Sequence, residues 1–511
     1  MTDLRAEAAR LSELLDVDPA LAVVGARKID LACEGVERLN RMWVRSAILV
    51  DGGMATGDRA AVEEAVALLR DLRAAIREPA VVYNLANGLS ALAGHPPRDA
   101  GWLDHMEATR ADRLEARSLF FAVGRDETAD VKQRTQAWTN LANLLTGTWR
   151  LGEAHDARLA ALRLDPTNGV AAGAAAKDLN WLLEQPGLCG PTTAIEAEHL
   201  AHIAELHRER SAEYAGAAAA DHYASFRRRA EPPARRAPHV DPFVRWVEDE
   251  RLTLAPTVEL VEPSLGHLDW LMLPGVRERE VRAPATPPPV FAMFNVLKGD
   301  FVLARDLAWR ATTQAWPRTA RFADTLDLAR YGAASSALVL ALRAALDLLD
   351  KVAVLANHYF ELGKVPAEVH FRTLWREKRP AADGSKPLRR EVDDAIRGGC
   401  DALMGLVELA DDYDTGWRKP QRDLRNAGTH RFVVLHDDIG ERTAREAPEV
   451  ERHSVDAFER EVVRALQVAR AAIQVLAFAV RQHEDVLGAR LDGPVGSLFV
   501  PDHAWVRGEE D

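Results

Sequence analysis

The sequence predicts an all-α protein, with an N-terminal helical solenoid, a proline-rich linker module and a C-terminal helical bundle. Three observations carry this reading. Ala, Leu, Arg and Glu, which lose little side-chain freedom in a helix, recur throughout the 511 residues. Apolar residues return at helical spacing over long stretches, as in Leu338, Leu342, Ala345 and Leu349. The N-terminal half repeats a two-helix unit with small residues where the helices must approach.

Composition narrows the class. A formal net charge of −13 argues against a general nucleic-acid coat but leaves room for a local basic groove. The three cysteines, Cys33, Cys189 and Cys400, are far apart and form no C-x-x-C pair, which suits reduced thiols in a cytoplasmic protein. The opening M-T-D-L-R-A-E-A-A-R lacks the apolar core of a signal peptide. The longest apolar-looking stretch, 333–360, is interrupted by Arg343, Asp347, Asp350 and Lys351, so it reads as a buried amphipathic helix. A membrane span would want about 20 nearly uncharged residues. A soluble, intracellular protein without a cofactor is the expectation.

The clearest unit is 135–168. W-T-N-L-A-N-L-L opens a first helix with Trp138 and Leu141 as packing residues and Ala142 as the small one. G-E-A-H-D-A-R-L-A-A-L-R-L follows, with Ala154 and Ala161 at the close approach, and D-P-T-N closes the unit at Pro166. In these residues and in its length of ~34 the unit resembles a tetratricopeptide repeat. Y-N-L-A-N-G-L at 83–89 echoes it, with an insertion at 94–102, and a preceding unit is expected at about 45–79. Helical pairs are expected to continue through 177–183 and 195–223. At least three units would stack into a solenoid over 1–225 with a concave face. Asn87 and Asn143 either line that face and bind a protein or peptide partner or tie neighbouring helices; Asn84 and Asn140 suit the structural role.

R-R-R-A-E-P-P-A-R-R-A-P from Arg227 reads as an extended linker. A short irregular packing module follows at 241–274, and A-P-A-T-P-P-P at 283–289 marks the start of the next domain. The linker and module together take 226–290, the bundle 291–490 and a tail 491–511. Helices are expected at 291–316, 321–361, 390–412 and, capped by Ser454, from there to about Val486.

Chemistry concentrates in R-N-A-G-T-H, 425–430, within a segment that also carries Arg418, Lys419, Arg422 and Arg431. Arginine donates a planar fork to phosphate, and histidine exchanges a proton near neutral pH. Nine of the 65 basic residues are lysines, leaving 56 arginines, so 16 histidines give about two Arg-x-x-x-x-His matches by chance. The chain has three: Arg150 to His155, Arg425 to His430 and Arg431 to His436. Only Arg425 is followed by a polar residue. Arg150 leads into a helical repeat and Arg431 into the apolar run F-V-V-L.

With the blocks F-A-M-F-N-V-L-K-G-D-F-V-L-A-R-D, L-R-A-A-L-D-L-L-D-K-V-A-V-L-A-N-H-Y-F and V-H-F-R-T-L-W, this motif resembles the HEPN superfamily (higher eukaryotes and prokaryotes nucleotide-binding), in a branch linked to tetratricopeptide repeats. The resemblance covers roughly 240–490. It implies metal-independent RNA cleavage, often across a dimer of the bundle. His430 would be the general base or acid, Arg425 would stabilise charge on phosphate and Asn426 would orient one of these groups. Arg418, Lys419, Arg422 and Arg431 would bind RNA. It also implies a toxin or antiviral effector triggered through the repeats.

Competing readings stand beside this one. The Arg and His could cap a helix end or pair with Asp411, Asp412 and Asp423, leaving a non-enzymatic scaffold whose bundle only dimerises or binds RNA. Gly428 could bend the motif or mark a strained helix start. Asp347 and Asp350 are second-rank candidates, better read as partners for Lys351 or another basic side chain; Asn357 and His358 rank lower. His199 and His202 with Glu196 lack H-E-x-x-H or cysteine support and read as a polar helix face rather than a metal site. The glycines of 488–496 lack the G-K-S or G-K-T of a phosphate loop and mark the tail.

Overall fold

The computed structural model describes residues 2–94, 96, 98–99, 101–185, 187–190, 192–226, 241–258, 268–277, 286–317, 320–380, 385–437 and 447–491. Among them lie 20 α-helices and one small three-stranded sheet, as an all-α protein requires. The expected linker at 227–240, residues 283–285 of the 283–289 break and the tail from 492 lie outside the described residues.

Thirteen helices come first: α1 Thr2–Val17, α2 Pro19–Arg27, α3 Gly35–Thr56, α4 Arg59–Ala75, α5 Pro79–Ala93, α6 Trp102–Ala108, α7 Arg110–Arg125, α8 Val131–Thr146, α9 Leu151–Leu164, α10 Gly169–Leu183, α11 Thr193–Leu206, α12 Arg208–Ala215 and α13 Ala217–Ala224. Helices near one another in sequence pack together, α3 on α4, α5 on α7, α8 on α9 and α10 on α11. Their starts are set locally. Asp58, Asp130 and Asn168 accept hydrogen bonds from the backbone N–H of Ala61, Lys132 and Ala171, satisfying donors that a helix leaves open. Leu141, Ala142, Ala154 and Ala161 are all buried at the α8–α9 contact. The unit expected from about residue 45 starts ten residues earlier, at Gly35.

The remaining helices are α14 Pro242–Asp249, α15 Pro289–Thr313, α16 Ala333–Tyr359, α17 Arg390–Arg397, α18 Leu403–Asp414, α19 Lys419–His430 and α20 Val455–Ala489. Two expected helices are shorter than predicted. Residues 321–332 are not helical: Leu326 and Leu328 take positive φ (57° and 61°), and Asp324 accepts from the Leu326 N–H in a tight turn. The 390–412 helix breaks at Gly398–Gly399, where Gly399 has φ +108°, a conformation only glycine adopts without strain.

The F-V-V-L run forms β2, Phe432–His436, flanked by β1, Ala329–Arg330, and β3, Val450–Ser454. β1 pairs antiparallel with β2, placing Ala329 opposite His436; β3 pairs parallel, placing Phe432 opposite Val450. Sequence reasoning proposed no strand here. Ser454 ends β3 and caps α20, as expected, accepting from the Ala457 N–H at 3.2 Å.

Among the described residues two apolar cores form. One lies within α1–α9; the other joins Trp102 and helices α10 and α11 to 244–271, α15, α16, α18 and α20. α20 is long and apolar enough to cross a membrane by length and composition, but 83% of its most apolar window is buried in this core. The apolar-looking stretch 333–360, expected as a buried amphipathic helix, is α16, buried along one face.

Candidate functional site

The D-L-L-D-K and R-N-A-G-T-H blocks meet. Asp347 and Asp350 stand one helical turn apart on α16, three residues being close to a full turn. The α19 helix lies against α16, and Arg425 donates from Nη2 to Asp350 Oδ2 at 2.8 Å and to Asp347 Oδ1 at 3.1 Å. Burial alone would disfavour the guanidinium charge; the Asp350 hydrogen bond and charge, with Tyr413 and Asp347, outweigh it and hold Arg425 above its usual range. Burial pushes the Tyr413 phenol up to about 12, with Arg425 opposing. Asp350 serves a second element as well, since its Oδ1 accepts from the Phe371 N–H at 2.7 Å.

Of the basic partners expected for these carboxylates, Lys351 or another basic side chain, Arg425 takes the role and Lys351 pairs with Asp300. Arg425 pairs with neither Asp411, Asp412 nor Asp423, the partners proposed by the structural alternative. Gly428 neither bends the segment nor starts it. α19 runs unbroken from Lys419 to His430, and a Cβ on Gly428 would make ordinary contact with Arg343, 3.5 Å away. Asn426 is exposed on α19. His430 is the helix's last residue, and its imidazole lies outside what is described.

The surrounding cations divide by burial. Arg418 was expected to bind RNA, and the structure corrects this: it is 5% exposed, stacks over Trp417 and donates to Glu153 at 3.1 Å. Removing one partner of such a buried pair costs about 3–5 kcal/mol, which opposes its exchange onto a phosphate. Lys419 donates to Asp423 at 2.5 Å, Arg422 to Asp423 at 2.7 Å and to Asp414 at 3.0 Å, and Arg431 to Glu451 at 3.4 Å. These pairs are wholly or partly exposed and worth only about 0–1 kcal/mol, so a phosphate can replace the carboxylate.

The other two motif matches are structural. Arg150 is fully buried, donating to Glu153 at 2.6 Å and to Asp412. Burial holds the His155 imidazole neutral, well below its usual range. His436 is buried in β2 with Nδ1 3.0 Å from the Asp327 carbonyl.

Sequence reasoning missed the network behind the motif helix. α7 presents Arg110, Arg113 and Arg117 to Asp411, Glu408 and Asp412 of α18: Arg110 Nε reaches Asp411 at 2.7 Å, Arg113 Nε Glu408 at 2.7 Å, and Arg117 both Glu408 (2.6 Å) and Asp412 (2.9 Å). Trp417 donates to Asp412 at 2.8 Å, and Arg376 ties Asp411 to Glu107. Burial penalises the Glu408 and Asp412 charges, yet the arginines hold both carboxyls below their usual range. The signal was present as helical spacing, R-x-x-R-x-x-x-R facing E-x-x-D-D.

Asn140 donates to Asn87 at 3.0 Å, tying α8 to α5; Asn84 and Asn143 are half-buried. Asn357 clamps Lys364 through its backbone N–H and carbonyl, and His358 is exposed. Glu196 is buried, not on a polar face, and burial pushes it up to about 7; His202 lies 3.6 Å from Glu198. Among the described residues no cluster of His, Cys, Asp or Glu could hold a metal ion. Cys33, Cys189 and Cys400 are free, and burial pushes Cys400 up to about 12.

A match to a family model supports a HEPN domain in the C-terminal part of the chain. The family matched is the LA2681-like HEPN family, over residues 281–483. No curated protein and no solved structure matches the chain.

Proposed function

We propose that this protein is a metal-independent RNA endonuclease of the HEPN type, with Arg425, Asn426 and His430 at its centre. The observation that carries it is the convergence of two distant blocks: Arg425 is held by Asp347 and Asp350 within the matched domain. A pre-oriented guanidinium stabilises charge developing on a phosphate without reorganising at the moment of reaction. RNA is the substrate because its 2′-hydroxyl supplies the internal nucleophile. A second bundle, bringing another Arg425 and His430, would complete the site as a homodimer in the cytoplasm.

In this reading the N-terminal helices are tetratricopeptide-like repeats that bind a protein or peptide trigger on their concave face. The buried ion pairs from α7 and α9 to α18 and Arg418 supply the route from that face to the motif helix. A toxin or antiviral effector suits such a design. Expression of the wild-type chain should degrade cellular RNA or slow growth, and H430A should not; equal behaviour would remove the catalytic assignment.

One observation favours a second reading. Arg418, Lys419, Arg422, Arg425 and Arg431 each have a carboxylate partner, which suits a scaffold whose bundle only dimerises or binds RNA weakly. A scaffold leaves RNA uncut.

A further inference from the structure

Cleavage of RNA through its 2′-hydroxyl moves two protons. A base takes one from the 2′-oxygen as it bonds to phosphorus; an acid gives one to the 5′-oxygen as the phosphorus–oxygen bond breaks. One imidazole cannot readily do both in a single step, and each bundle's motif carries only His430, so the acid comes either from the second bundle's His430 or from another histidine of the same chain.

A second imidazole stands at the same carboxylate. His370 Nδ1 lies 3.7 Å from Asp350 Oδ2, the oxygen that also accepts from Arg425. That is ion-pair distance, longer than a hydrogen bond. The backbone beneath it is fixed. Val369 and Phe371 are buried on either side, the Phe371 N–H donates to Asp350, and the Phe371 ring packs against Trp375 and Tyr413. The His370 carbonyl accepts from the N–H groups of Thr373 and Leu374 at 3.0 Å each. Between two buried anchors, the His370 side chain is 65% exposed. A histidine kept for packing would be buried; this one is held out to solvent beside the motif arginine.

We infer that His370 is the proton donor to the leaving 5′-oxygen at the Arg425 site, an assignment that rests on the nuclease reading above. Proton donation requires the imidazolium form of a histidine. The Nε2 proton of His370 passes to the 5′-oxygen, His430 accepts the 2′-proton, and the products are a 2′,3′-cyclic phosphate and a free 5′-hydroxyl. Asp350 on α16 is the charged group at His370; Asp350 is shared with Arg425 on α19, which also reaches Asp347 and acts on Tyr413 of α18, while Arg372, two residues along, pairs with Asp414, the partner of Arg422.

The test uses the full chain and a short oligoribonucleotide that the wild type cleaves in EDTA. It is paired with the same oligomer carrying sulfur in place of the bridging 5′-oxygen. A thiolate leaves without protonation, so loss of an acid should not slow its departure. H370A should cut the oxygen substrate about 100-fold more slowly than wild type and the sulfur substrate at nearly the wild-type rate. R425A should be slow on both. H370A cutting the oxygen substrate like wild type, or slow to the same degree on both, overturns the assignment of His370 and leaves the nuclease reading intact. A wild type inert toward every RNA tried overturns the nuclease reading, and the His370 assignment with it.

Discussion

Arg425 and Asp350, 75 residues apart in sequence, lie 2.8 Å apart across the contact between α19 and α16. The same carboxylate group holds the Phe371 backbone, so one side chain fixes the motif arginine relative to two other elements. A charge-assisted bond of this kind contributes about 1.5–3 kcal/mol. D350N should therefore lower RNA cleavage by roughly 10–100-fold by releasing Arg425, while D347N, at a more exposed position, should cost only a few-fold. Initial rates with each purified variant check this, with thermal melts to show that the fold survives.

The basic residues should separate by burial in a binding assay. K419A, R422A and R431A should each weaken RNA binding and, on a single strand, lower the salt slope by about 0.7 for each phosphate the variant no longer neutralises. R418A should instead destabilise the fold by about 3–5 kcal/mol, because it leaves Glu153 buried with one fewer partner. Filter binding across a salt series, with chemical denaturation of the same variants, tests both halves.

The network on α18 makes stability acid-sensitive. Glu408 and Asp412 are held below their usual range in the folded protein, so the unfolded chain binds more protons as pH falls. Their contribution is complete above the unfolded values, about 4.3 and 3.9, and is lost as pH drops below them toward the folded values. The melting temperature should fall steeply below about pH 4, and D412N should be destabilised by about 3–5 kcal/mol at pH 7. Melts from pH 3 to 8 give the readout.

Gly428→Ala should fold and melt at or slightly above the wild-type temperature. The helix is continuous there, the added methyl meets Arg343 at ordinary contact distance, and alanine gains about 1 kcal/mol of helix propensity over glycine. A fall in melting temperature would show that the helix bends at this position.

The long helices were legible because their apolar spacing and caps are local properties: Ser454 heads α20 in sequence and in structure alike. The turn at 324–328 was not, since its positive φ values fall on two leucines that no turn rule selects. β2 escaped for a related reason, its four apolar residues fitting a short strand or a helix end equally well. Of the candidate site, Arg425 was singled out from its letters, but its pairing with Asp347 and Asp350 was not, because pairing across 75 residues leaves no local trace. Arg418 was misjudged for the opposite reason: its letter is the same as an exposed arginine's, and only tertiary packing places it against Trp417.

The most direct test of the central claim is the chemistry of the cut ends. Purified full-length protein, incubated with RNA in EDTA, should leave 2′,3′-cyclic phosphate and 5′-hydroxyl termini, and R425A should abolish them. Cleavage that stops in EDTA, or that R425A leaves unchanged, would contradict the account.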